Sequence, residues 1–267
     1  IFFAGDERQD AGYVREIFAR LLPRAYRRPV TADEIDGVVA LVEQARSDGA
    51  TLRDAVRMGL TRVLCSPGFL FIQEPAAEEK PRQLTQYELA SRLSYFLWSS
   101  MPDDELFALA EADRLRDPQV LMQQVDRMLD DPKAEALVKG FAGQWLDVRE
   151  FGSIMPAAEY RDHYDEELER SSRLEAYAFF REVLANDLPI TNFLNSDFVM
   201  INERLARHYG IEGVTGSDIR RVDIDPEHHR GGVLGMAGLM TLLSDGTRTL
   251  PVRRAAWVRT QLFGDPP

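Results

Sequence analysis

Hydrophobic residues recur at three- and four-residue intervals along most of the chain, the period of a helix with one buried face. Val14, Ile17, Phe18, Leu21, Leu22 and Ala25 form the first stripe. Pro23 lies inside it and predicts a kink or a break, because proline lacks the backbone donor and crowds the preceding turn. Thr31 and Glu34 have capping-box spacing, and Ile35, Val38, Val39 and Val42 follow on one face as far as Gly49. Thr51 opens a third helix with Leu52, Val56, Leu60, Val63 and Leu64 inward, which Ser66-Pro67 ends or restarts. Residues 74–81, with two prolines and four charges, predict an exposed linker and a domain boundary.

Thr85 and Glu88 repeat the capping box ahead of Leu89, Leu93, Phe96 and Leu97. Met101-Pro102, Asp117-Pro118 and Asp131-Pro132 place proline at a first helical position, where its missing N–H costs nothing. Val120, Leu121, Val125, Met128 and Leu129 form one stripe, and Leu137, Val138, Phe141 and Trp145 the next. A long helix is predicted from about Asp165 to Leu184, with Leu168, Leu174, Tyr177, Phe180 and Leu184 inside and pairs such as Glu169–Arg173 outside. Asn202 caps a short helix stopped by Gly210, residues 220–224 are the one credible strand, and a last helix spans 251–263. The segments do not resemble one another at a fixed interval, so a solenoid is not expected. The expected fold class is mostly α, with multi-helical orthogonal or bundle-like packing and at most a short strand pair near 219–224. It falls into an N-terminal helical domain (1–75), a central helical domain (82–210) and a C-terminal helical segment leading to a proline-rich tail (211–267).

Composition narrows the function. A net charge of −12 argues against a nucleic-acid surface, which needs clustered Lys and Arg, and against adhesion to anionic membranes. The longest nearly uncharged run, residues 231–244, is well short of the ~20 residues that span a bilayer. One cysteine, Cys65, allows neither an intrachain disulfide nor a Cys-x-x-Cys-His haem attachment, and at the end of an apolar stripe it is expected to be a small core residue. The first residue is not Met and the last ones are Asp265-Pro266-Pro267, so a piece of a longer polypeptide is expected.

Candidate chemistry concentrates between residues 223 and 254. Asp223, Asp225 and Glu227 beside His228 and His229 could hold a divalent cation, although the spacing fits no calcium loop or zinc motif; the competing reading is an acidic surface loop that caps the next helix. His228, His229, Arg230, Ser244, Asp245 and Arg248 make up the candidate polar site. Arg248 could grip a carboxylate or phosphate, and the glycines before it permit close backbone approach. The competing reading there is a turn whose Thr249 caps the helix at Pro251. His163 and His208 fall at helix ends, no Gly-x-Ser-x-Gly elbow is present, and acid pairs such as Asp103-Asp104 and Asp130-Asp131 have the positions of caps. Trp98 and Trp145 fall on apolar faces and are expected in the core.

Several stretches carry a resemblance: Ala25-Tyr26-Arg27-Arg28-Pro29-Val30; Ser66-Pro67-Gly68-Phe69-Leu70-Phe71; Leu89-Ala90-Ser91-Arg92-Leu93-Ser94-Tyr95-Phe96-Leu97-Trp98; Pro102-Asp103-Asp104-Glu105-Leu106; Gln144-Trp145-Leu146; Asn202-Glu203-Arg204-Leu205-Ala206; Arg230-Gly231-Gly232; and Thr247-Arg248-Thr249-Leu250-Pro251-Val252-Arg253-Arg254. In this order the chain resembles the planctomycete cytochrome-associated surface proteins, a multidomain envelope family built from domains of unknown function. Leu250 and Ala255 depart from it, standing where the family has Ser and Gly. The resemblance implies an exported, periplasmic or cell-surface protein, with a c-type haem on another domain of the same polypeptide and none within this chain. It implies partners among those other domains and no catalytic residues to carry over. Three functions fit: a scaffold or interaction module; an enzyme domain acting on an extracellular substrate and coupled to a separate cytochrome domain; and a module that contacts metal or haem noncovalently.

Overall fold

The computed structural model describes residues 10–72 and 82–266. The expected linker at 74–81 and the opening Ile1-Phe2-Phe3 lie outside the described residues. Among the described residues the fold is mostly α with one two-stranded antiparallel sheet, and the chain divides into two compact units, Ile1–Asp131 and Pro132–Pro267.

In the first unit, α1 (Ala11–Tyr26) starts where the Asp10 carboxylate accepts the Tyr13 N–H at 2.7 Å. Of the kink or break expected at Pro23, the break does not occur, and the helix continues through it. Proline there forfeits one hydrogen bond near the helix end, while Leu22 and Ala25 on either side are buried. Helices α2 (Ala32–Ser47) and α3 (Leu52–Leu64) begin at the predicted Thr31 and Thr51 caps. Val14, Phe18, Leu22, Val42 and Val56 form the core that the three share. Cys65, expected inside, is exposed at the C-cap of α3, because the buried stripe ends at Val63. A single turn, α4 (Pro67–Leu70), follows.

One buried cation ties this unit together. Arg27 adopts a left-handed conformation (φ 56°) that ends α1. The residue is only 7 % exposed, and its guanidinium donates to the carbonyls of Gly68 (2.9 Å), Phe69 (3.2 Å) and Phe71 (2.9 Å). These are the free carbonyls at the end of α4, and a planar five-donor group spans them where an ammonium would not. Arg27→Ala is therefore expected to destabilise the protein by about 2–4 kcal/mol, with Arg27→Lys recovering less than half, in urea unfolding followed by circular dichroism.

Helix α5 (Gln86–Trp98) has the predicted capping box and only part of the predicted face. Ala90, Ser91, Ser94, Leu97 and Trp98 are buried, whereas Phe96 is exposed. Small residues on that face allow close approach, and the Trp98 indole N–H reaches the Met128 carbonyl at 2.9 Å. Asp103, not Pro102, starts α6 (Asp104–Glu111) by accepting the Leu106 N–H. Helix α7 (Pro118–Asp130) begins at Asp117-Pro118 as expected.

The second unit opens with a continuous helical stretch over 132–145, which contains α8 (Glu135–Leu137), a wider π-type turn (Val138–Ala142) and α9 (Gly143–Trp145). Helix α10 (Glu166–Ala185) follows, capped by Asp165. Strand β1 (Phe198–Ile201) pairs with β2 (Arg220–Asp223), Phe198 facing Asp223 and Ile201 facing Arg220. Between them α11 (Glu203–Tyr209) runs from the predicted Asn202 cap to Gly210. Two short helices complete the unit, α12 (Ala237–Leu242) and α13 (Pro251–Trp257), the latter prolonged by a π-type turn to Leu262. The core holds Phe151, Phe179, Phe193, Phe198, Met236 and Leu239. Two tryptophans fasten the end of the chain to it. Trp145 donates to the Gln261 carbonyl and Trp257 to the Asp147 carboxylate, each at 2.7 Å. Among the described residues no helix is long and apolar enough to cross a membrane.

Candidate functional site

The buried face of α10 departs from the sequence pattern in a way that creates the site. Leu174 and Leu184 are exposed, and Leu168, Ser171, Ser172, Glu175, Phe179 and Val183 point inward. Glu175 is 1 % exposed. The Tyr209 hydroxyl donates to it at 2.7 Å and itself accepts the Ala237 N–H at 2.8 Å, so one phenol joins α10, α11 and the start of α12. Arg230 lies 3.9 Å from the centre of the Tyr209 ring and donates to the Gly235 carbonyl at 3.0 Å. Burial pushes the Glu175 carboxyl up to about 8, against the pull of the Tyr209 hydrogen bond and the Arg230 charge. At neutral pH this carboxyl is mainly protonated. Burial and the neighbouring carboxyl raise Tyr209 well above a free phenol.

Arg230-Gly231-Gly232 holds its place by close contact. Gly231 (φ 134°) and Gly232 (φ 65°) press on the backbone of residues 193–196, where a Cβ on Gly232 would fall 2.6 Å from the Leu194 carbonyl. Ser196 accepts the Gly232 N–H at 3.1 Å and donates to the Phe198 carbonyl at 2.6 Å, so this contact is hydrogen-bonded as well as close. Glycine is required at 232 because backbone, not a movable side chain, occupies the Cβ position.

The other sequence candidates lie on the surface. His228 and His229 are exposed, with His228 Nδ1 3.3 Å from the Asp225 carbonyl and His229 in a left-handed conformation (φ 48°). Asp223 pairs with Arg221 at 3.3 Å, and Asp225 and Glu227 are exposed. Among the described residues no group of three or more His, Cys, Asp and Glu is placed to hold a metal ion. Ser244–Thr249 closes into a tight turn. Asp245 accepts from the Thr247 hydroxyl and from the Thr247 and Arg248 N–H groups, which hold its carboxyl well below the ordinary range, and it also pairs with the Arg248 side chain. Ser244 donates to the Thr241 carbonyl. Thr249 does not cap α13. It bridges back to Ser244, its hydroxyl accepts from Arg254, and Leu250 takes the cap position.

Beside the Glu175–Tyr209 pair, a cleft of about 200 Å³ is lined by Phe151, Tyr160, His163, Tyr164, Glu169 and His208, among others. Desolvation, with smaller contributions from the Arg204, Arg230 and His163 charges, holds His208 below the ordinary imidazole value. Burial and the Glu169 charge push Tyr164 up to about 12. In the sequence these histidines stand out only as helix ends, and Glu175 belongs to no motif. The available signal was the spacing Leu168, Ser172, Glu175, Phe179, which keeps the helical period with an acid in the buried series.

Residues 13–74 match the family described as PSD5, protein of unknown function (DUF1595), and residues 84–211 match the one described as PSD4, protein of unknown function (DUF1592). No curated protein and no solved structure matches the chain. Taken in order, then, most of the chain is similar to two consecutive domains of unknown function, a PSD5 segment followed by a PSD4 segment.

Proposed function

We propose that this chain is a non-catalytic helical module, a scaffold or interaction element, of an exported multidomain protein of the bacterial envelope. It works beside a c-type cytochrome domain carried elsewhere on the same polypeptide. The observation that carries this reading is that Arg230, Asp245 and Arg254, charged candidates in the stretch the sequence singles out, each bond to their own chain. Arg230 serves Tyr209 and Gly235, Asp245 closes a turn with Thr247 and Arg248, and Arg254 serves Thr249. A catalytic constellation instead keeps such groups converging on a space for substrate. The tandem domain matches support the multidomain part of the reading. The planctomycete source, the envelope location and the cytochrome rest on the motif resemblance.

The test uses the full-length parent protein and its haem reduction by a soluble electron donor. His229→Ala and Arg248→Ala, alone and together, are expected to leave the rate within about twofold of the parent. A loss of about tenfold or more from these surface substitutions, with folding intact, would instead establish the enzyme reading.

A further inference from the structure

The cleft has a chemistry of its own. It opens between the Ala158–His163 turn, the first turns of α10, the end of α11 and the start of α12. Its floor is carbon, with Phe151, Leu168 and Ala237 buried there, and a Cβ at Gly238 would fall on the Phe151 ring. Tyr160 and His163 stand exposed at the mouth. A dry protein cavity of roughly 150 Å³ accepts benzene, so a space of about 200 Å³ accepts one substituted ring.

Tyr160 apart, which stands at the mouth, the hydroxyl donors around it already have partners. Ser172 donates to the Leu168 carbonyl (2.8 Å), Thr241 to the Ala237 carbonyl (2.9 Å) and Tyr164 to Glu169 (3.2 Å). Inside the mouth, acceptor capacity remains in the lone pairs of Tyr164 and Glu169 and in one nitrogen of a neutral His208, whose other nitrogen carries the proton. Glu169 opposes an anionic ligand, and its ion pair with Arg173 at 2.7 Å reduces its attraction for a cation.

We infer that this cleft binds a small uncharged phenol, its ring on the Phe151–Gly238 floor and its hydroxyl donating to the acceptors at the His208–Glu169 edge. The site is independent of the scaffold reading above and stands or falls separately from it.

The test is calorimetric titration of the 267-residue chain with p-cresol, toluene and cyclohexanol, with the His208 ring signals followed by NMR. p-Cresol is expected to bind with a Kd on the order of 0.1–1 mM and to shift the His208 signals, with toluene and cyclohexanol about tenfold weaker. Thr241→Phe, which fills the cavity from α12, is expected to abolish binding while leaving the circular dichroism unchanged. Should that variant not fold, Tyr160→Ala at the exposed mouth is expected to weaken p-cresol about fivefold with no change in melting temperature. No binding up to about 10 mM, equal binding of toluene or cyclohexanol, or undiminished binding by the folded cleft variant would overturn the inference.

Discussion

Glu175→Gln is expected to make the protein more stable at pH 8 and to change little at pH 4. The sign comes from burial. The carboxyl is raised from its ordinary value near 4.5 to about 8 in the folded protein. Below 4.5 it is protonated both folded and unfolded, and contributes no pH dependence. As the pH rises, the unfolded chain loses the proton first, and the folded state is disfavoured by about 1.4 kcal/mol per unit until its own carboxyl ionises. Tyr209 and Arg230 are the groups that face it, and the Arg230 charge limits the shift. A glutamine keeps the oxygen that accepts from Tyr209 and removes the ionisation. The difference between variant and parent should therefore grow from pH 5 to pH 8 and reach about 4 kcal/mol in urea unfolding at the upper end. Parallel curves for the two proteins across that range would contradict the buried, protonated state of this side chain.

The second large effect separates two glycines with the same sign of φ. Gly210 (φ 71°) ends α11 with nothing within 4 Å of where a Cβ would stand. Gly232 (φ 65°) has the Leu194 carbonyl at 2.6 Å and the Phe193 carbonyl oxygen at 2.7 Å from that position. Gly210→Ala meets only the left-handed conformational penalty, about 1 kcal/mol. Gly232→Ala must in addition displace backbone that Ser196 holds by hydrogen bonds to Gly232 and Phe198, and the expected loss is about 4 kcal/mol. The comparison is made by thermal unfolding of both variants under one condition. Losses equal within about 1 kcal/mol would mean that the Gly232 contact yields easily.

Much of the fold was legible because its local rules are strong. Thr31, Thr51, Thr85, Asn202 and Asp165 cap the helices that their spacing indicates, since a side-chain acceptor beside a free N–H is a local event. Which face turns inward was less legible, because it depends on what packs there. On α10 and α5 the obvious large residues, Leu174 and Phe96, face out, while Glu175 and Ser94 face in. Strand β1 escapes a sequence reading because Phe198-Val199-Met200-Ile201 is a buried apolar run without alternation, which periodicity cannot tell from a helix segment. Proline is the weaker guide: Pro23 does not break its helix, and Pro102 lies ahead of the true Asp103 cap.

For the site, the sequence draws attention to residues 223–254 and does not reveal which residues elsewhere in the chain they meet. Arg230-Gly231-Gly232 stands out by composition. Its partners Glu175, Tyr209 and Ser196 come from elsewhere in the chain, and neither cation–π stacking nor backbone contact leaves a local signature. The cleft is invisible for the same reason, since Phe151, Tyr164, His208 and Gly238 meet only in three dimensions.

The segment 230–237 is locked into the core of the C-terminal unit through Arg230, Gly232 and Ala237. Native-state hydrogen exchange of the Gly232 and Ala237 amides tests it most directly, because these donate to Ser196 and Tyr209 inside the protein. Both are expected to exchange within about tenfold of the slowest amides of α10, as groups released only by cooperative unfolding. Exchange of either at the rate of an open loop would contradict the claim.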